Sequence, residues 1–176
     1  MRIFATCVMA TMLVASSMLS SAGARVSGSP VEGFSWETFT VPDFGTQVEY
    51  PAGIFVDYEG PAEKGIGERL RSADGRALLT IYSRANQAAD TPASYLKSNL
   101  RLARSALDYE RVTRSFFAIS SSRQGLIFYS RCNFSSNAGG ALHCFDLVYP
   151  EREKRAWDMI VTRISRSLRP LEAQGM

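Results

Sequence analysis

The sequence predicts an α+β domain, a mostly antiparallel β-sheet with two principal helices packed on it. Three observations carry that expectation. Short β-branched and aromatic runs recur between turn residues, only two segments keep a helical period, and the spacings between runs are those of hairpins. A doubly wound parallel sheet would instead alternate strand and helix throughout.

The first 24 residues stand apart from that domain. Met1-Arg2 is a short basic start, Ile3 to Leu19 is an apolar run diluted by Thr and Ser, and Ala22-Gly23-Ala24 ends in small residues. Charge, apolar helix and small-residue site in that order are what a translocon and signal peptidase read, so residues 1–24 are expected to be a cleaved signal peptide. The run is too short and polar for a comfortable membrane span, which needs about 20 mostly apolar residues, although an uncleaved anchor is the alternative. Cys7 lies too far ahead of the cleavage site to serve as a lipid-anchor cysteine. No second apolar run follows, so no transmembrane segment is expected in the mature chain, and the location expected is periplasmic or secreted.

Cleavage after Ala24 leaves 152 of the 176 residues, enough for one domain with a real core. All 17 acidic residues and all basic ones except Arg2 remain, a net charge of +2. That balance gives no argument for a nucleic-acid partner. Residues 25–35 are small and polar and read as a flexible lead-in. The domain is expected over 36–170, with 171–176 as a tail.

Within the domain, Trp36 to Thr40, Thr46 to Tyr50 and Ile54 to Tyr58 read as strands broken at Pro42-Asp43 and Pro51. Gly60 to Gly67 reads as a loop; Gly65-Ile66-Gly67 lacks the third glycine and following helix of a dinucleotide site. Ala73-Asp74-Gly75 tolerates the positive φ of a tight turn, and so joins Glu68–Ser72 to Arg76–Ser83 as a hairpin. Thr91 as N-cap and Pro92 at the first helical position open a helix whose apolar face is Leu96, Leu100, Ala103 and Leu107. Lys97, Arg101 and Arg104 recur on another face, a candidate anion-binding stripe or a solvated surface.

Tyr109–Ser115, Phe116–Ser121 and Leu126–Cys132 follow as strands, with a turn expected over Ser120–Gly125. A loop over Asn133–Gly140 returns the chain through Ala141–Tyr149. The final helix starts at Pro150, carries Glu151 and Glu153 in its first turn, and has Arg163, Arg166 and Arg169 near its end, which complements the macrodipole. Trp157, Ile160, Val161, Ile164 and Leu168 form its apolar stripe, and Pro170 stops it.

Cys132 and Cys144 are the mature chain's two cysteines, an even count that favours a disulfide in an oxidising compartment. If the strands at 126–132 and 141–149 pair about Ala138, each cysteine lies six residues from the loop centre, and the two face each other. The same register sets Tyr129 opposite Leu147 and Ile127 opposite Tyr149. The spacing is not C-x-x-C, which speaks against a redox pair.

His143 is the only histidine. With both cysteines oxidised it has no partners for zinc, and no G-x-S-x-G elbow presents a nucleophile. Strand alternation puts Asp146 on the face of Cys144 and His143 on the opposite one. Glu151 and Glu153 sit two apart on a helix and face away from each other. No catalytic, metal or cofactor site is expected, and the bland structural reading of His143 is preferred. The alternative is a small hydrolase using His143 with Asp146 or a nearby serine.

The order of pieces resembles the PsbP-like α/β domain. Tyr50-Pro51-Ala52-Gly53-Ile54-Phe55 enters a strand, Asp74-Gly75-Arg76-Ala77-Leu78 makes a hairpin, and Thr91-Pro92 opens a helix. Leu126-Ile127-Phe128-Tyr129 and Tyr149-Pro150, leading into the helix with Trp157, complete the likeness over about residues 36–169. The resemblance implies an antiparallel sheet with helices on its faces. It also implies an extrinsic subunit or protein-binding accessory factor without catalysis. Together with the leader, the expectation is an exported binding or accessory protein of the cell envelope, its partner an unknown protein or envelope component. No functional residue carries over with it.

Overall fold

The computed structural model describes residues 35–100, 103–135 and 140–170. The expected leader, most of the lead-in and the tail lie outside the described residues, as does Arg101. Twelve regular elements run β1 (Trp36–Val41), β2 (Thr46–Pro51), β3 (Phe55–Pro61), β4 (Ile66–Ser72), β5 (Leu78–Ala85), α1 (Pro92–Asn99), β6 (Tyr109–Val112), β7 (Phe116–Arg123), β8 (Leu126–Phe134), β9 (Ala141–Pro150), α2 (Lys154–Ser167) and β10 (Arg169–Pro170).

Seven strands form one antiparallel sheet in the order β3-β4-β5-β9-β8-β7-β6. This is the expected α+β class. The first two strands do not join that sheet. β1, β2 and the two-residue β10 make a separate three-stranded sheet, which the sequence reading did not anticipate because β10 is only Arg169-Pro170 beyond the helix.

Turn chemistry explains the hairpins. Between β4 and β5 the Ser72 hydroxyl donates to Asp74 Oδ1 at 2.7 Å, and Arg76 N–H donates to the same oxygen at 3.0 Å. These bonds, the serine hydroxyl foremost, hold the Asp74 carboxyl down at about 2. The β7–β8 turn is tighter than expected. Ser120 to Arg123 continue the strand, and only Gln124 and Gly125, both at positive φ, reverse the chain, as a two-residue hairpin of primed type requires. The loop expected over Gly60–Gly67 shrinks to Ala62–Gly65. There β4 begins at Ile66, and its Gly67 pairs with Tyr82 so closely that a Cβ would stand 2.0 Å from the Ile81 carbonyl oxygen.

α1 opens as expected at Thr91-Pro92, with a reciprocal cap between Thr91 and Ser94. It closes at Asn99, two turns earlier than the apolar spacing implied. The Asn99 amide donates to the Tyr95 carbonyl at 2.9 Å, and Leu100 leaves in extended conformation. A short 3₁₀ turn at Arg104–Ala106 then leads to β6. α2 follows a 3₁₀ turn at Glu151–Glu153 and buries the expected stripe of Trp157, Ile160, Val161, Ile164 and Leu168.

Period-2 alternation gives the large sheet two unlike faces. One carries Leu79, Ile81, Ile127, Phe145, Leu147 and Tyr149, all buried beneath α2 and the small sheet. Trp157 anchors this core, stacked on Tyr149 at 5.2 Å and tilted against Phe55 at 6.0 Å. The other face carries Tyr82, Phe117, Cys132, Leu142 and Cys144, and α1 covers it through Leu96. Eight residues of helix roof only part of seven strands. Among the described residues no helix covers the rest of that face.

Candidate functional site

On the α1 face, cross-strand rows run perpendicular to the strands. Tyr82, Cys144, Cys132 and Phe117 form one row; Thr80, Asp146, Ser130 and Ile119 form the next; Leu78, Val148, Phe128 and Ser121 form the third. The first row is sealed beneath α1. It contains the Cys132–Cys144 disulfide, with Cα atoms 4.1 Å apart, in the register expected from the sequence. Among the described residues no helix roofs the second and third rows. They floor a cleft of about 360 Å³ walled by Glu63, Lys64 and Arg69 on one side and Leu107 on the other.

A polar triad occupies the middle of this floor. Lys64 reaches in from the β3–β4 loop and donates to Asp146 Oδ2 at 2.7 Å, while Ser130 donates to Asp146 Oδ1 at 2.6 Å. The Asp146 side chain is only 20% exposed and that of Lys64 is 60% exposed, so the carboxylate is fixed and the ammonium is free to swing outward. Beside the triad lies an apolar strip of Leu78, Val148 and Phe128, and Phe128 presents 42% of its surface to solvent. The charged wall is itself braced, because Arg69 pairs with Glu63 at 2.9 Å.

A second depression of about 720 Å³ continues beneath α1 and shares Glu63, Lys64, Ile119 and Ser130 with the first. Lys64 Nζ lies 5.9 Å from the Tyr82 ring at the junction. Burial, and then the Asp146 carboxylate, push the Tyr82 phenol up, so it stays a neutral hydroxyl here. The continuous trough offers apolar contact along its length and one fixed carboxylate with a mobile ammonium at its centre. The other carboxylate lining the trough, Glu63, is engaged by Arg69 at 2.9 Å, and Asp146 is engaged by Lys64 and Ser130.

His143 lies on the other face of β9, as alternation required, and Asp146 does not reach it. It is 1% exposed. Its Nδ1 lies 2.5 Å from the Thr46 hydroxyl and its Nε2 lies 2.8 Å from the Ser135 hydroxyl, while Thr46 also bonds Ser83. Two hydroxyls satisfy a neutral imidazole in either tautomer, and burial pulls the His143 pKa down. The Ser135–His143 contact has the length of a nucleophile–base pair, but a hydroxyl stands where an orienting carboxylate would be needed.

The basic stripe is differently placed from the helical expectation. Lys97 lies in the last turn of α1, and Arg104 lies in the 3₁₀ turn, where it pairs with Glu110 at 3.4 Å. Arg101 is outside the described residues. Among the described residues, no group of three or more His, Cys, Asp or Glu side chains converges to hold a metal, and no helix is long and apolar enough to cross a membrane.

The floor of the cleft escaped sequence reasoning although its register was in hand. The pairing that sets Cys132 opposite Cys144 also sets Ser130 opposite Asp146 and Phe128 opposite Val148. Lys64 and Arg69 had no such signal, because they arrive from a distant loop and strand.

No protein-family model matches the sequence, and no curated protein matches it. Among solved structures the chain is similar to the solution structure of cyanobacterial PsbP (CyanoP) from Synechocystis sp. PCC 6803. Sequence identity is 15% and the TM-score is 0.48, over 84% of this chain and 99% of that one. That protein bears the name of the family whose order of motifs this sequence resembles, and no residue role or function is drawn from the likeness.

Proposed function

We propose that this chain is an exported, non-enzymatic binding protein of the cell envelope, and that its recognition surface is the trough on the α1 face. One observation carries the reading: Phe128 lies exposed beside the Asp146 carboxylate, which Ser130 and Lys64 hold, on a sheet face that α1 leaves unroofed. Apolar surface of this kind next to a few oriented polar groups is the common form of a recognition site. The partner it suits is a protein segment or envelope component with an apolar side and one polar group for Lys64 or Asp146. Lys97, Arg101 and Arg104 would add salt-sensitive attraction to an anionic surface.

The test is photo-crosslinking in the living cell with a benzophenone amino acid in place of Phe128, and separately in place of Met159 on the far side of α2. A discrete adduct from position 128 alone supports the proposal, and identical patterns from both positions contradict it. Export is tested on the same material, which should begin at Arg25 and leave the cell with the extracytoplasmic fraction.

The contact of Ser135 with His143 favours one second reading, a hydrolase. A fluorophosphonate probe that labels Ser135 would establish it, and an unlabelled serine would end it.

A further inference from the structure

The opposite face of the sheet holds a second feature, away from the trough. Arg111 on β6 and Arg131 on β8 flank Ala118 of the intervening strand, in one cross-strand row. Ala118 is small and buried, so nothing rises between the two long side chains. Both guanidinium groups converge on the Phe116 ring, at 4.1 Å for Arg131 and 5.5 Å for Arg111. Two like charges drawn to one ring repel each other, and an aromatic face offsets only part of that cost.

Neither guanidinium has a carboxylate within ion-pair distance among the described residues. The Arg131 Nε–H donates to Asn133 Oδ1 at 3.1 Å. Arg131 is partly buried, where a charge is ordinarily paired, and desolvation works against its cation. The pair opens into a groove of about 720 Å³ between α2 and strands β6 to β8. Arg166 and Lys154 also line this groove against Asp108 and Asp158, and Lys154 is spent on Asp158 at 2.9 Å. Four cations against two carboxylates leave a surplus of two positive charges.

We propose that this groove is an oxyanion site for a phosphate monoester group, held between the guanidinium forks of Arg111 and Arg131. Guanidinium presents paired N–H donors that match phosphate oxygens two at a time, and a dianion balances the surplus charge of the groove. The hydroxyl of Tyr129 faces the same space and is held by Ser165 at 2.9 Å. The phosphate belongs either to a free small molecule or to a lipid headgroup.

The experiment follows the arginine Nε–H resonances of the full chain by NMR during titration with inorganic phosphate, at constant ionic strength and mildly alkaline pH. Chloride and acetate serve as comparisons. Saturable shifts of Arg111 and Arg131 with phosphate alone are expected, weakened about tenfold or more in Arg131→Gln and in Arg111→Gln, the latter at an exposed side chain that folding does not need. Arg163→Gln is the control. That side chain stacks on Trp36 at 4.1 Å and pairs with Glu49 outside the groove, so phosphate binding should be unchanged. A parallel arm uses vesicles of phosphatidic acid in phosphatidylcholine. Vesicle binding that is lost in Arg131→Gln and displaced by free phosphate assigns the headgroup, and phosphate binding with no vesicle binding assigns the soluble ester. Phosphate shifts no larger than those from chloride, equal binding of acetate, or unaltered binding in both glutamine variants would each overturn the proposal.

Discussion

His143 Nδ1 lies 2.5 Å from the Thr46 hydroxyl, and that contact joins the small sheet to the large one. Thr46, Ser83 and His143 are each almost wholly buried, and their mutual bonds leave no buried polar side-chain atom unpartnered among the described residues. Thr46→Val removes the shared hydroxyl and strands both neighbours. A loss of about 1–3 kcal/mol is expected, read as a lower urea midpoint with unchanged slope.

The same network makes stability depend on pH. His143 has a folded pKa below its unfolded value of about 6.5, so the unfolded chain takes up a proton more readily. The contribution of neutral His143 is therefore complete above that value, and it is lost as pH falls through the folded pKa. Urea midpoints measured from pH 8 downward should decline in acid beyond the carboxylate background. His143→Gln should flatten that part of the curve.

Reduction of the Cys132–Cys144 bridge should destabilise the domain by about 3 kcal/mol, the order expected for so short a loop in the chain-entropy account. Equilibrium unfolding with and without reductant checks it. A Cys132→Ala/Cys144→Ala protein should match the reduced form and ignore reductant.

Trp157→Ala removes the ring stacked between Tyr149 and Phe55 and should cost about 3–5 kcal/mol. Phe128→Ser, on the open face, should leave the unfolding midpoint nearly unchanged, since an exposed side chain gains little from folding. Thermal or urea unfolding of both variants separates core from site.

Much of the fold was legible because local chemistry and tertiary structure agree. Asp74-Gly75, Thr91-Pro92 and the stripe from Trp157 to Leu168 each do locally what the fold needs, and the cysteines report a register that the ladder then follows. Where the two levels part, the sequence misleads. Leu100, Ala103 and Leu107 keep a helical spacing, yet Asn99 turns its amide onto the Tyr95 carbonyl and the helix stops. β10 is too short for any period to show, so the small sheet was invisible. The site was less legible than the fold. Phe128 alternates like any strand residue, and nothing in its neighbours says that no helix covers it; Lys64 joins Asp146 across 82 positions of chain.

If the trough is the recognition surface proposed, the face bearing Phe128 is covered in the cell. Hydroxyl-radical footprinting of the purified protein and of the protein in situ tests this directly, with Met159 as internal standard because it is 78% exposed on the outer side of α2. Phe128 should react freely in the purified protein and be protected in situ while Met159 reacts in both. Equal modification of Phe128 in the two settings would contradict the account.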